Sequence, residues 1–379
     1  MNLLEGAVYD LDDCKITIGI PVEVGRESGH FWFGKLHAFD ESRILCDATK
    51  ADDKAQGKWP SVLYFSQDGG RSWRKKRDFD VHTPVCVPLD RDRLLLIQME
   101  TRPIAPGDMR GAHTEGKIVT IGEDDELLIR GADVKFLGFP YDLADYHIGE
   151  IALFADGNIL PLKDGRLLTA MYRMLRGETN YKAVALYSED GGFTWRFLSE
   201  ITGREDGPGA AKGSNESNIV RLEDGRLLCI SRVAGGAPYI KSLSSDEGIT
   251  WTKPETMIEA WSVEPQLVRL ANGLILLSGG RPGILLWVCA DGQGERWQRI
   301  NLAEHHNEFV PDTQMRFTEL VTRIQKSDEK QTTSYTSIAP VGPEEVLISY
   351  DRLANGWEGA PGPLGDADAV FTVRVRAER

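Results

Sequence analysis

Short apolar runs, each cut off by turn residues, follow one another along the whole chain. Arg166-Leu-Leu-Thr-Ala-Met-Tyr172 and Arg226-Leu-Leu-Cys-Ile-Ser231 are typical. Runs of this kind, bounded by Gly, Pro, Asp and Asn, predict strands. No long stretch carries the period of an amphipathic helix. The 39 glycines and 18 prolines supply the punctuation.

The punctuation is periodic. A box of the form Ser-x-Asp-x-Gly-x-Thr/Ser-Trp occurs as Ser66-Gln-Asp-Gly-Gly-Arg-Ser-Trp73, Ser188-Glu-Asp-Gly-Gly-Phe-Thr-Trp195 and Ser244-Ser-Asp-Glu-Gly-Ile-Thr-Trp251, with a degenerate copy at Cys289-Ala-Asp-Gly-Gln-Gly-Glu-Arg-Trp297. The physical reading is a hairpin turn. The Asp caps its own turn backbone, Gly permits positive φ, and Trp pins the hairpin to the core. A second motif, a turn leading into an apolar strand, precedes each box. It reads Asp164-Gly-Arg-Leu-Leu168, Asp224-Gly-Arg-Leu-Leu228 and Asn272-Gly-Leu-Ile-Leu276, with looser copies at Glu41, Asp90 and Pro343. Six units over 379 residues come to about 63 residues each, room for four strands of ordinary length plus turns. Four-stranded units repeated radially predict an all-β fold, a six-bladed β-propeller. The expected organisation is one domain, 1–379, with blades starting near 30, 83, 150, 215, 262 and 333. Residues 1–20, through the run Cys14-Lys-Ile-Thr-Ile-Gly-Ile20, supply the outer strand that closes the ring with Ala369-Val-Phe-Thr-Val-Arg-Val375.

These boxes resemble the Asp-boxes (BNR repeats) of the sialidase, or neuraminidase, superfamily of six-bladed propellers. The resemblance runs along essentially the whole chain. It implies the fold; activity has to be argued from site residues.

Strand order gives the geometry. If the small turn joins the first strand of a blade to the second, and the box joins the third to the fourth, the starts of first strands and the ends of second strands share one face. That face carries the longer loops and is the expected ligand side. The ends of the six second strands carry Lys50, Arg102, Arg173, Arg232, Arg281 and Arg352, every one basic. Such a mouth suits a carboxylate or sulfate, and Arg grips carboxylates bidentately. The starts of the first strands carry His30 or Trp32, His82, His147 to Glu150, Glu216, Glu264 and Tyr335. For His82 and Glu264 a satisfied structural role is the stronger expectation.

The resemblance assigns roles. Sialidases hold the substrate carboxylate with three arginines and attack with a Tyr paired to a Glu, while an Asp acts as general acid. Asn215-Glu-Ser-Asn to Ser-Arg232 resembles the segment holding the Glu and second Arg, which implies Glu216 and Arg232. Gly280-Arg-Pro-Gly resembles the third-Arg segment, which implies Arg281. Ser334-Tyr-Thr-Ser337 resembles the nucleophile segment, which implies Tyr335. A phenol nucleophile suits an anionic sugar, because a carboxylate would be repelled. The first blade departs from the pattern: Gly29-His-Phe-Trp-Phe-Gly34 stands where the family has Arg-Ile-Pro, so His30 or Trp32 lies near the place of the missing arginine. Asp52 and Asp53 fall in the loop of the general acid.

Three functions compete. The first is a sialidase-like exo-glycosidase that cleaves a terminal acidic sugar from a glycan. The second is a polysaccharide lyase of the rhamnose–glucuronate type, in which Arg neutralises a uronate carboxylate and a base such as His113 removes the adjacent proton. His30, His82, His147 and Arg173 are at hand for that chemistry. The third is a propeller that binds glycans without turning them over.

Composition trims the alternatives. Forty-four Lys and Arg against 58 Asp and Glu give a net charge of −14. That argues against a nucleic-acid partner and places the acidic excess on turns and outer strands, around a basic mouth. No apolar run reaches membrane-spanning length, and the N-terminus lacks a signal-peptide pattern. Five widely spaced cysteines, Cys14, Cys46, Cys86, Cys229 and Cys289, read as buried thiols of a reducing compartment such as the cytoplasm. No cofactor is expected. No cluster has zinc-like spacing, Gly203 to Gly213 lacks the ending of a phosphate-binding loop, and the Asp-rich turns leave room only for a structural calcium ion. The polar segment His305 to Thr332 reads as an insertion that covers the pocket or mediates assembly.

Overall fold

The computed structural model describes residues 6–53, 59–105, 108–143, 153–174, 178, 180–202, 213–233, 237–257, 260–325, 331–357 and 367–379. They fall into two compact units, residues 1–82 with 262–379, and residues 83–261. The described residues are all-β apart from a 3-10 turn, Glu123–Asp125, and a short helical insertion.

The first unit holds three antiparallel sheets. One runs Trp32–Ala38, Ile44–Thr49, Ser61–Ser66, Arg74–Phe79, and another Gln266–Arg269, Ile275–Gly279, Leu285–Cys289, Trp297–Asn301. The third has six strands. Thr336–Gly342, Glu345–Arg352 and Asp368–Glu378 are followed outward by the N-terminal Cys14–Ile18 and Ala7–Leu11, and Val22–Glu27 also pairs with Asp368–Glu378. The N-terminal strand thus lies beside the C-terminal one, Ile16 opposite Ala377. Leu276, Leu286, Ile348, Val373, Ile16 and Ile18 share one core.

The second unit holds a four-stranded sheet, Ser214–Arg221, Leu227–Val233, Ala237–Ser244, Glu255–Thr256, and one ten-stranded sheet. The ten-stranded sheet is a departure from separate four-stranded blades. The last strand of the second repeat, Leu127–Leu137, pairs in parallel with the last strand of the third, Thr194–Glu200, Phe136 opposite Trp195. The cause is length. The hairpin Asp108–Ile121 and Leu127–Leu137 is far longer than its counterparts, so its end reaches the neighbouring edge and satisfies it.

Both sequence motifs occupy the predicted turns. Asp68, Asp190, Asp246 and Asp291 each accept backbone N–H groups of their own turn, for example Asp190 Oδ1 from Thr194 at 2.8 Å. Trp195, Trp251 and Trp297 donate their indole N–H to the carbonyls of Gly192, Gly248 and Gly294. Trp73 instead reaches the Thr372 hydroxyl at 3.1 Å.

The insertion after Asn301 is a helix, Leu302–Phe309, and a short second one, Glu319–Thr322. The Asn301 side chain caps the first by accepting from Ala303 and Glu304. Leu302, Val310, Met315, Phe317 and Val321 join the core of the first unit. Short helices of this kind leave little periodic signal. His306 is buried between the Tyr350 hydroxyl at 3.0 Å and the Met315 carbonyl at 3.0 Å. No described helix is long and apolar enough to cross a membrane.

Candidate functional site

The six small turns lie between first and second strands, and the four boxes between third and fourth, which puts five of the six basic residues at or just past a second-strand end; Arg102 is the exception. Lys50 follows Ile44–Thr49. Arg173, Arg232 and Arg352 are within Leu167–Arg173, Leu227–Val233 and Glu345–Arg352. Arg281 lies just past Ile275–Gly279, and Arg102 opens the strand after Arg93–Ile97.

Their surroundings correct the picture of a uniformly positive mouth. In the second unit Arg102 pairs with Glu100 at 3.1 Å. Arg173 is completely buried, held by Glu178 at 2.8 Å and by Glu200, with Tyr141 against its guanidinium at 4.8 Å. Arg232 pairs with the buried Glu216 at 2.6 Å. In the first unit Lys50 lies 3.7 Å from Glu27. Arg352 acts electrostatically on Asp368, whose carboxyl burial pushes above its ordinary range. The acidic excess thus also lies at these strand ends, neutralising the basic row.

Arg281 differs. It is 6% exposed and has no acidic partner among the described residues. One nitrogen, Nη1, donates to the Ser334 hydroxyl at 2.5 Å. The guanidinium lies 4.0 Å from the Trp357 ring centre and 5.4 Å from that of Tyr335. Its backbone N–H donates to the Ser334 carbonyl at 2.9 Å. Gly280 makes this approach possible, because a Cβ there would overlap the Ser334 carbonyl. Arg281 and Tyr335, read separately from two motifs, are brought together.

Tyr335 is half-buried just before the strand Thr336–Gly342. Phe33 stacks on it at 4.6 Å, and Lys35 lies 5.7 Å over its ring. The loop bearing Tyr335 is anchored by Asp351. One carboxylate oxygen accepts the Ser334 N–H at 2.5 Å and the Thr333 hydroxyl at 3.2 Å. The other accepts the N–H groups of Phe33 at 3.1 Å and Tyr335 at 3.5 Å. Complete burial pushes the Asp351 pKa up to about 6, although these donors favour the charged form.

Two features here escaped the sequence reading. Lys35 stands in the strand Trp32–Ala38 and forms a buried ion pair with Glu264. Phe33 and Glu264 both have left-handed backbone, φ 52° and 46°, which is costly for non-glycine residues and clusters at functional sites. The strand bulges between Trp32 and Lys35, which re-aims Lys35 toward Glu264 and Tyr335. The only signal was a lone Lys among aromatic and apolar neighbours. Trp357, the other omission, lies outside every repeat motif.

The remaining candidates are placed as follows. Trp32 is buried and donates to the Ala51 carbonyl at 2.8 Å, with His30 stacked on it at 5.0 Å. Asp52 and Asp53 are exposed in the next loop. His82 is buried near Asp47, 4.0 Å away, and near Phe33 and Trp59. Burial first, and then Lys35 and His37, hold it well below the usual histidine range. His37 is driven to about 3 by burial and by Lys35. His113 is half-exposed on Asp108–Ile121, 3.5 Å from Asp133. His147 and Glu150 lie outside the described residues, as does most of Gly203 to Gly213. Among the described residues no group of three His, Cys, Asp or Glu is arranged to hold a metal. A cavity of about 820 Å³ in the first unit is lined by small-turn residues such as Glu41, Asn272 and Glu345. It lies at the strand ends away from Tyr335, and its Arg374 and Arg376 are spent on Glu345.

The family of BNR repeat-like domains matches residues 138–341. None of the curated proteins matches the sequence. Among solved structures, a protein of unknown function from Dyadobacter fermentans superposes with a TM-score of 0.63 at 18% identity, covering 97% of this chain and 100% of its own. A Hadza microbial sialidase gives 0.60 at 14% identity, over 95% and 68%. An alpha-L-arabinanase of Penicillium chrysogenum, complexed with arabinobiose, gives 0.56 at 14% identity, over 94% and 98%. At these identities the likeness concerns the fold.

Proposed function

Since the chain belongs to the family of BNR repeat-like domains, matched over more than half its length, we propose that it is a sialidase-like glycosidase. In this reading it is a six-bladed propeller that cleaves a terminal acidic sugar from a glycan. The observation that carries the reading is Arg281, a guanidinium without an acidic partner among the described residues, set against Tyr335.

The chemistry follows from the residue types. Arg281 holds the sugar carboxylate. The Tyr335 oxygen attacks the anomeric carbon as the glycosidic C–O bond breaks, and the leaving oxygen takes a proton from Asp52 or Asp53. Water then cleaves the glycosyl–tyrosine bond and restores the phenol. The phenol proton passes to solvent as the glycosyl–tyrosine bond forms and is regained when water cleaves it. A neutral nucleophile avoids repulsion by the substrate carboxylate. Asp351 and the aromatic stack of Trp32 and Phe33 hold the Tyr335 loop still, which is the positional control such a step requires.

The lyase reading relied on Arg173 as a spare cation and on histidines as bases. Arg173 is already held by two carboxylates, and His82 is buried. A test is a panel of fluorogenic glycosides comprising a sialoside, a glucuronide and an α-L-arabinofuranoside, with ultraviolet absorbance followed for unsaturated sugars. Release from an acidic glycoside without new absorbance supports the proposal. Release only from the arabinofuranoside, formation of unsaturated product, or binding without turnover would overturn it.

A further inference from the structure

We propose that Trp357 is a specificity-determining residue: its indole N–H and the open edge of Arg281 together form the recognition point for a planar carboxylate. This rests on the reading of Arg281 as the carboxylate anchor and extends it to a residue outside every repeat motif.

Three observations meet at this place. First, the Arg281 guanidinium is flanked by two rings, Trp357 at 4.0 Å and Tyr335 at 5.4 Å. Stacking on an aromatic face fixes the guanidinium plane and leaves its in-plane N–H groups free to donate. Second, only Nη1 of Arg281 hydrogen-bonds to a described residue, the Ser334 hydroxyl. The Nε and Nη2 edge therefore retains its donors. Third, Trp357 Nε1 is buried and has no hydrogen-bond partner among the described residues. Trp195, Trp251 and Trp297 all donate their indole N–H to a carbonyl of their own turn. A buried N–H without an acceptor is unfavourable, and native proteins rarely leave one.

A carboxylate answers all three conditions. It is planar, it accepts along two oxygens with about four lone-pair directions, and it brings the negative charge that Arg281 lacks. One oxygen meets the guanidinium edge while the other reaches the indole N–H. A neutral hydroxyl or ester at the same place satisfies the N–H at most and leaves the cation without its counter-charge. The pair therefore sets a preference for the free acid over its neutral derivatives. The Trp357 backbone N–H donates to the Gln331 carbonyl at 3.1 Å, which fixes the position of the ring independently of the ligand.

The experiment compares binding of N-acetylneuraminic acid and of glucuronic acid with binding of their methyl esters, by titration calorimetry without turnover. The wild type should prefer the acid. Trp357→Phe keeps the stacked ring and loses only the donor, so the preference should fall about tenfold while ester affinity holds. Trp357→His, which restores a ring N–H, should recover part of it. Arg281→Gln should abolish the preference. An unchanged preference in Trp357→Phe would overturn the inference, and so would equal loss of acid and ester binding, which marks a packing role. If the wild type shows no preference for either acid, the inference also falls. Turnover of the glycoside panel judges the glycosidase reading separately.

Discussion

Arg281 and Ser334 are joined twice, through the backbone N–H to carbonyl bond at 2.9 Å and through the guanidinium to hydroxyl bond at 2.5 Å. This double link ties the end of one sheet's second strand to the loop that carries Tyr335. It depends on a missing side chain, since any Cβ at position 280 would overlap the Ser334 carbonyl. Gly280→Ala should therefore push the Tyr335 loop away. The expected result is a loss of about 1–3 kcal/mol of stability and at least a tenfold fall in kcat. Urea unfolding and steady-state kinetics on the same variant measure both.

The Lys35–Glu264 pair is buried on both sides. Removing one partner strands the other charge in a low-dielectric interior. Lys35→Met should cost about 3–5 kcal/mol, and Lys35→Met with Glu264→Leu should recover most of it. Near-additive losses in the double variant would show that the two side chains stabilise the fold independently.

Asp351 holds Phe33, Thr333, Ser334 and Tyr335 with one carboxylate. Asp351→Ala leaves several buried donors unsatisfied at about 1–3 kcal/mol each, so a loss of several kcal/mol is expected. Asp351→Asn keeps one carbonyl acceptor and should fold, but with a displaced Tyr335. Its kcat should fall more than its KM changes, read from full saturation curves.

Acid should unfold the protein early. Burial depresses His37 to about 3 and His306 to about 4, and lowers His82 and His305 as well. Each stays neutral in the fold while the unfolded chain protonates near 6.5. Their contribution is complete above that pH and is lost as pH falls toward the folded values. Asp351, raised to about 6, works the other way; its contribution is complete below its unfolded value near 4 and fades as pH rises through 6. The four depressed histidines, opposed by the raised carboxyls of Asp351 and Asp368, predict stability that falls as pH drops from 6.5 toward 4.5. His306→Asn should reduce that slope by about one proton's worth, measured by urea unfolding across this range.

The repeat made much of this legible. Turns and boxes must recur in fixed places because each Asp and Gly serves the local backbone, so strand order and the basic strand ends could be read directly. Arg281 and Tyr335 followed from that register. What was hidden depends on departures from it. Lys35 reaches Tyr335 only because the strand bulges after Trp32, and alternation places it elsewhere. Net charge could not show that Arg102, Arg173 and Arg232 are each answered by a nearby Glu. No motif marks Asp351, and only the fold brings four donors to it. Trp357 belongs to no repeat, so no periodic signal pointed to it. The long second-repeat hairpin merged two sheets through a parallel pairing that strand lengths alone did not specify.

In the proposed mechanism Tyr335 attacks an acidic sugar held by Arg281. Incubation with a fluorinated glycosyl fluoride of an acidic sugar, followed by peptide mass spectrometry, tests it most directly, because fluorine slows breakdown of the covalent intermediate. A single glycosyl adduct is expected on the peptide containing Tyr335, absent in Tyr335→Phe. An adduct on another residue, or an active enzyme that forms none, would contradict it.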